Sequence, residues 1–151
     1  MSFITNLLSS IFFRRLDVML DDGAYMPGHA HEVDAGYDLL SPISVSVPPH
    51  ASAVIDTGVH MAIPRLWYGN IQSKSGLNVK HDITTTGTID SGYTGSVRVK
   101  LYNDGGEAYE VCRGDKVAQI VFMRCGTPKL KVVGKLDDTE RGDNGFGSTG
   151  R

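Results

Sequence analysis

Asp90 stands in Gly87-Thr88-Ile89-Asp90-Ser91-Gly92-Tyr93-Thr94-Gly95, after an apolar residue and before a turn. A carboxylate there is either an exposed turn-former or a base. Ionised at pH 7, it can orient a water and take its proton. Ser73-Lys74-Ser75-Gly76-Leu77 sets a cation, hydroxyls and a glycine in a row, a short nest for an anion. Arg113-Gly114-Asp115-Lys116 reads as a turn, with Asp115 as its turn-former, leading into the segment that carries Gln119. Gly145-Phe146-Gly147-Ser148-Thr149-Gly150 has enough glycine to wrap phosphates. It neither follows a strand nor opens a helix, so it is not a P-loop or a dinucleotide-binding turn. The five histidines include His29 and His31, two apart, but no carboxylate or cysteine lies at ligand spacing to them.

Fifteen basic residues against seventeen acidic ones give a net charge of −2. That balance offers no basic field for a nucleic-acid backbone, and no nucleic-acid partner is expected. A small anion needs only a few local cations and amides. Cys112 and Cys125 are too few for a zinc site and read as reduced, partly buried thiols of a cytoplasmic protein.

The elements that position these residues are short. Eighteen glycines and six prolines are spread along 151 residues, enough chain for one domain with its own core. From Arg15 onward a breaker recurs every few residues, and the runs between are β-prone. Ile43–Val47 alternates, Ala53–Ile55 leads through Asp56-Thr57-Gly58 into Val59–Ile63, and Ser96–Tyr102 alternates with Arg98 and Lys100 on its polar face. Val117–Phe122 is nearly continuous apolar, as in a strand covered on both faces. Outside residues 1–14 no window carries a helical period. The pattern predicts an all-β sandwich or barrel.

Residues 1–14 read as a leader, with Ile4, Leu8 and Ile11 at helical spacing. The apolar run is far shorter than the ~20 residues of a membrane span, and no membrane partner is expected. Residues 15–136 form the β domain. Residues 137–151, with four glycines and one aromatic, bury too little apolar surface to hold themselves in place and read as a mobile arm, a lid.

The order of the motifs points further. Ala35-Gly36-Tyr37-Asp38-Leu39, Ser73–Leu77, Gly87–Tyr93, Gly114–Gln119 and Arg141–Gly150 resemble, in sequence, the five motifs of the trimeric dUTPase family. The resemblance covers about residues 15–151 and implies a jelly-roll-like β-sandwich, a homotrimer with sites at subunit interfaces, and a C-terminal arm closing over a neighbour's site. It implies hydrolysis of dUTP to dUMP and pyrophosphate with Mg2+. Asp90 would activate the attacking water, and Tyr93 would lie under the deoxyribose. Ser75, Gly76 and Lys74 would bind the α/β-phosphate bridge, and Gln119 would serve the phosphate side. Asp38 would help hold hydrated magnesium through water. Arg141 would meet the γ-phosphate, Phe146 would stack on uracil, and Gly147, Ser148 and Thr149 would donate to phosphates.

Two features depart from that family. Lys74 replaces an arginine and lacks its bidentate fork. The stretch from Ser75 to Asp90 is a few residues shorter, with Thr84-Thr85-Thr86 in place of an Asn-containing hairpin tip, so main chain near Thr85, Thr86 and Gly87 is expected to read the uracil edge. The shortening raises a dCTP deaminase-like alternative. That reaction needs a glutamate where Lys100 stands and an arginine where Val79 stands. A nucleotide-gated regulatory binding protein is the other alternative, although Asp90, Ser75, Gln119 and Arg141 are all present.

Overall fold

The computed structural model describes residues 15–144; the leader at residues 1–14 and the expected contacts of Phe146, Gly147, Ser148 and Thr149 lie outside them. Eleven strands and one short helix are present among the described residues: β1 Val18–Leu20, β2 Gly36–Leu40, β3 Val45–Val47, β4 Ser52–Asp56, β5 Val59–Met61, β6 Trp67–Gln72, α1 Ser75–His81, β7 Ile83–Thr84, β8 Thr86–Asp90, β9 Arg98–Asn103, β10 Tyr109–Val111 and β11 Lys116–Arg124. The fold is all-β.

A four-stranded sheet runs β2-β11-β6-β8, a three-stranded sheet runs β4-β9-β7, and the pairs β1-β5 and β3-β10 complete the layers. Alternation does what it must: Val97, Val99 and Leu101 turn inward while Arg98, Lys100 and Tyr102 stay outside. They meet Ile55 of β4, and on the other sheet Leu39, Ile71, Val117 and Ile120, in one continuous core. Each such side chain stabilises the fold by about 1.5–3 kcal/mol through the apolar surface it removes from water. β11 lies between β2 and β6, which is why its apolar run is almost unbroken.

Three readings change. Ile43 was expected to share a buried face with Val47, but it is exposed and the strand starts only at Val45. Ser75–His81 is helical although the pattern gave no helix. Its seven residues place only Leu77 against the core, so no apolar stripe exists to be read. Cys112, expected to be partly buried, is exposed; Cys125 is half-buried, and both thiols are free.

Candidate active site

β6 organises the chemistry, because its two ends carry different groups. Antiparallel pairing sets Gln72 opposite Thr86 and Tyr68 opposite Asp90. Ser73, Lys74 and the start of α1 therefore lie at one end of β8, and Asp90 at the other. Four residues of extended chain separate Thr86 from Asp90, about 13 Å.

At the first end three strands converge. Gln119 of β11 is flanked by Asp38 on β2 and by Gln72 on β6. Its amide Nε2 donates to the Ser73 carbonyl at 3.4 Å. The side chain lies across β2 at Gly36, where an added Cβ would come within 2.6 Å of the Gln119 Oε1. Gly36 is thus the space that the glutamine fills. The Ser73 hydroxyl ties down the approach to β8, accepting from the Thr85 amide at 2.8 Å and donating to the Thr85 carbonyl at 3.0 Å.

Asp38 is 5% exposed. Its amide donates to the Gly28 carbonyl at 2.7 Å. Oδ1 accepts from Lys74 Nζ, and Oδ2 faces Lys116 Nζ at 2.7 Å. Burial alone would raise the carboxyl's pKa. The hydrogen bonds and charges of Lys116 and Lys74 outweigh it and hold the group below the usual carboxylate range. Among the described residues no three His, Cys, Asp or Glu side chains gather as a metal cage. Ser75 and Gly76 stand exposed at the start of α1, and a Cβ on Gly76 would meet nothing within 4 Å. The protomer's own packing leaves that space open.

The second end is a turn. Asp90 is exposed, and its carbonyl accepts from the Tyr93 amide at 3.2 Å. Tyr93 is 45% exposed and folds back over Gly95, with its hydroxyl donating to the Ser96 carbonyl at 3.0 Å. A side chain at position 95 would collide with that ring.

The structure brings Asp38, Lys74, Ser75, Gly76 and Gln119 to one end of β6, and Asp90 with Tyr93 to the other. Gly87 lies within β8, opposite Ile71. Arg141 is exposed in a local turn and donates to the Asn144 carbonyl at 3.1 Å. The expectation that Thr85 main chain reads a base is corrected: its amide is already bonded to Ser73, which leaves Thr86 and Gly87. Asp115 is a turn-former, its Oδ2 accepting from the Cys112 amide at 2.8 Å. Lys116, Ser73 and Gly36 escaped the sequence reading as separate roles. A glycine just before Tyr37-Asp38 is the one signal Gly36 offered; Lys116 offered none, because 78 positions separate it from Asp38. Lys100, where a deaminase needs its glutamate, lies over the Tyr102 ring at 4.8 Å, and Val79 is exposed. A cavity of about 430 Å³ between Leu16, Tyr37, Met61, Trp67 and Phe122 contains none of the expected site residues.

The class so defined is an all-β sandwich that carries, at one sheet end, a lysine–carboxylate cluster beside the exposed serine–glycine start of α1. Known proteins make that class specific. The dUTPase family model matches residues 22–150. A deoxyuridine 5'-triphosphate nucleotidohydrolase of Mus musculus is 43% identical over 89% of this chain and 83% of its own length. One from Clostridium novyi is 42% identical over 86% and 94%. Among solved structures, the dUTPase of Staphylococcus bacteriophage 80alpha with dUPNHPP superposes with a TM-score of 0.86 at 32% identity, covering 91% of this chain and 99% of that one. The dUTPase of phage phi11 of S. aureus, in which a structural Mg(II) ion is coordinated, gives 0.76 at 33% identity over 81% and 98%. The chain belongs to the dUTPase family, the dUTP diphosphatases.

Proposed function

We propose that this chain acts as a homotrimer that hydrolyses dUTP to dUMP and pyrophosphate by in-line attack of water on the α-phosphorus. The observation that carries assembly from more than one copy is the division of the site, and the threefold number follows from the family. The phosphate-side residues and Asp90 stand at opposite ends of β8, about 13 Å apart along the strand, too far to act on one α-phosphorus within a protomer. A second copy is needed to bring the two halves together. Leu130, Val132 and Leu136 support the same reading, since they are 95%, 99% and 79% exposed in a segment that follows β11. Apolar residues so placed mark a surface that another chain covers.

In the assembled site Asp90 orients the water and takes its proton as the water oxygen bonds to the α-phosphorus. The bond from that phosphorus to the α,β-bridging oxygen breaks, and pyrophosphate leaves. Ser75, Gly76 and Lys74 stabilise the leaving oxygen, and Gln119, fixed by Ser73 and Gly36, holds the phosphate side. Tyr93 lies under the sugar and leaves no room for a 2′-hydroxyl. Thr86 and Gly87 present main chain to the uracil edge. Arg141 meets the γ-phosphate, while Phe146 stacks on the base and Gly147, Ser148 and Thr149 donate to phosphates.

Asp38 fits a hydrated magnesium ion in its chemistry: it is a carboxylate kept ionised beside the phosphate-binding turn. Magnesium favours waters and phosphate oxygens over an all-protein cage, and when bound it neutralises phosphate charge. Lys74 bonds Oδ1 of Asp38, so its turn toward phosphate is what would free that oxygen.

The test is pyrophosphate release from dUTP, dCTP, dTTP and UTP, each with and without magnesium. The reading requires magnesium-dependent release from dUTP well above the other three. Equal release from dCTP would defeat the uracil assignment, and ammonia release from dCTP would establish the deaminase instead.

A further inference from the structure

His60, on β5, lies outside all five motifs, yet both of its ring nitrogens face oxygen acceptors. Nδ1 is 2.8 Å from the carbonyl of Thr94, and Nε2 is 3.2 Å from Oδ1 of Asp21. A neutral imidazole has one N–H and one lone pair, so it can satisfy only one of these oxygens and turns its lone pair on the other. Only the doubly protonated ring donates to both.

We propose that His60 is a positioning residue: as an imidazolium it donates to the Thr94 carbonyl and the Asp21 carboxylate, and so holds the turn that presents Tyr93. Thr94 follows Tyr93 directly. The turn from Asp90 to Ser96 is held from outside by His60 at Thr94 and by Asp56 at Ser96, and His60 is the anchor nearer the tyrosine. The Tyr93 hydroxyl rests on the Ser96 carbonyl, and the Ser96 hydroxyl donates to Asp56 at the end of β4. Without the His60 anchor, Thr94 and Gly95 can shift, and the ring over Gly95 shifts with them.

The charged groups facing His60 all favour its charged form or are already paired. Asp21, in the turn after β1, touches it, and Asp56 acts through space while bonded to Arg98 of β9 at 3.2 Å. The Thr94 carbonyl and then Asp21 raise the ring above the ordinary 6.5. The anchor is therefore complete below about pH 6.5 and is lost as pH rises through the raised value.

The inference rests on the reading of Tyr93 as the sugar platform, so its test has two arms. In the first, ring 15N signals of the full chain are followed against pH without nucleotide, with His60 assigned by the signal that His60→Gln removes. His60 is expected to carry protons on both nitrogens at pH 6.5 and to titrate above the ordinary 6.5, with Asp21→Asn moving it down. A His60 ring with one bare nitrogen at pH 6.5, or no response to Asp21→Asn, overturns the proposal whatever the enzyme hydrolyses. In the second arm, the kcat/KM ratio of dUTP to UTP is measured across pH 5.5–9. It is expected to fall roughly fivefold through the His60 midpoint, the worth of one net hydrogen bond. In His60→Gln it is expected to be flat at the low value. A ratio that ignores pH in the native protein overturns the link to Tyr93. Failure to hydrolyse either nucleotide would defeat the dUTPase reading instead and leave the first arm to decide on His60.

Discussion

The two ends of β8 are built on opposite principles. At the Thr86 end the charged and amide groups are already paired with residues distant in sequence: Asp38 between Lys74 and Lys116, Gln119 against Ser73, and Ser73 against Thr85. At the Asp90 end the functional side chains face solvent on a turn held from outside by Asp56 and His60. The first arrangement fixes a charge pattern before any ligand arrives, which lowers the cost of ordering it later. The second leaves a carboxylate and an aromatic ring exposed, complete only against another surface. Preorganisation belongs to the sheet, and complementation belongs to the turn.

Changes at the exposed end should cost chemistry and leave the fold alone. Asp90→Asn keeps the shape but cannot accept a proton, so kcat should fall by roughly 10²–10⁴ with substrate binding and Tm unchanged. Near-native turnover would remove Asp90 from the mechanism. Deleting residues 141–151 should come next. A folded assembly should remain with most of its activity lost, because Arg141 and the glycine-rich segment act only on bound nucleotide. Steady-state kinetics and sedimentation on the same sample would show both, and full turnover by the truncated chain would end the lid reading.

Changes at Gly36 and Asp38 of the sheet end should be smaller in rate and visible in stability. Gly36→Ala pushes on the Gln119 amide and should lower kcat/KM roughly tenfold by misplacing one contact, with little change in the β2–β11 pairing. If the rate is unaffected, Gln119 does not need its present position. Asp38 gives the pH signature. Its folded pKa lies below the ordinary 3.8, so the stability it contributes is fully present above that value. It is lost as pH falls through the lowered value. Acid unfolding of the native protein should therefore steepen below about pH 4, and Asp38→Asn should lose that steep limb and be less stable at neutral pH by about 1–3 kcal/mol. Identical acid curves would show that the two lysines do not stabilise the carboxylate.

Sequence pattern revealed the layers and missed the meeting points, for a physical reason. Val97, Val99 and Leu101 announce a strand because alternation is local. The same is true of Val117–Phe122, whose composition reports cover on both faces. α1 is silent because Leu77 alone turns inward. Resemblance to a family located Asp38, Ser75, Asp90 and Gln119 as residues. It did not show that Lys116 closes the second oxygen of Asp38, since that contact depends on the register of β11 against β2. Nor could motif order reveal that Ser75 and Asp90, fifteen positions apart, end at opposite ends of β8. The hairpin at Thr85 was misjudged for a similar cause, because the Ser73 hydroxyl that engages its amide lies twelve residues away.

The central claim is that the sheet end of one copy and the turn end of another make one site, and mixed assemblies test it most directly. Asp90→Asn and Ser75→Ala chains, each inactive alone, are coexpressed and the dUTPase activity of the mixture is measured. If sites are shared between copies, random assembly at equal levels places both intact halves in about a quarter of them, and activity should return to about that fraction of native. Activity that stays at the level of the single variants at every mixing ratio would contradict the shared site and place all the chemistry within one chain.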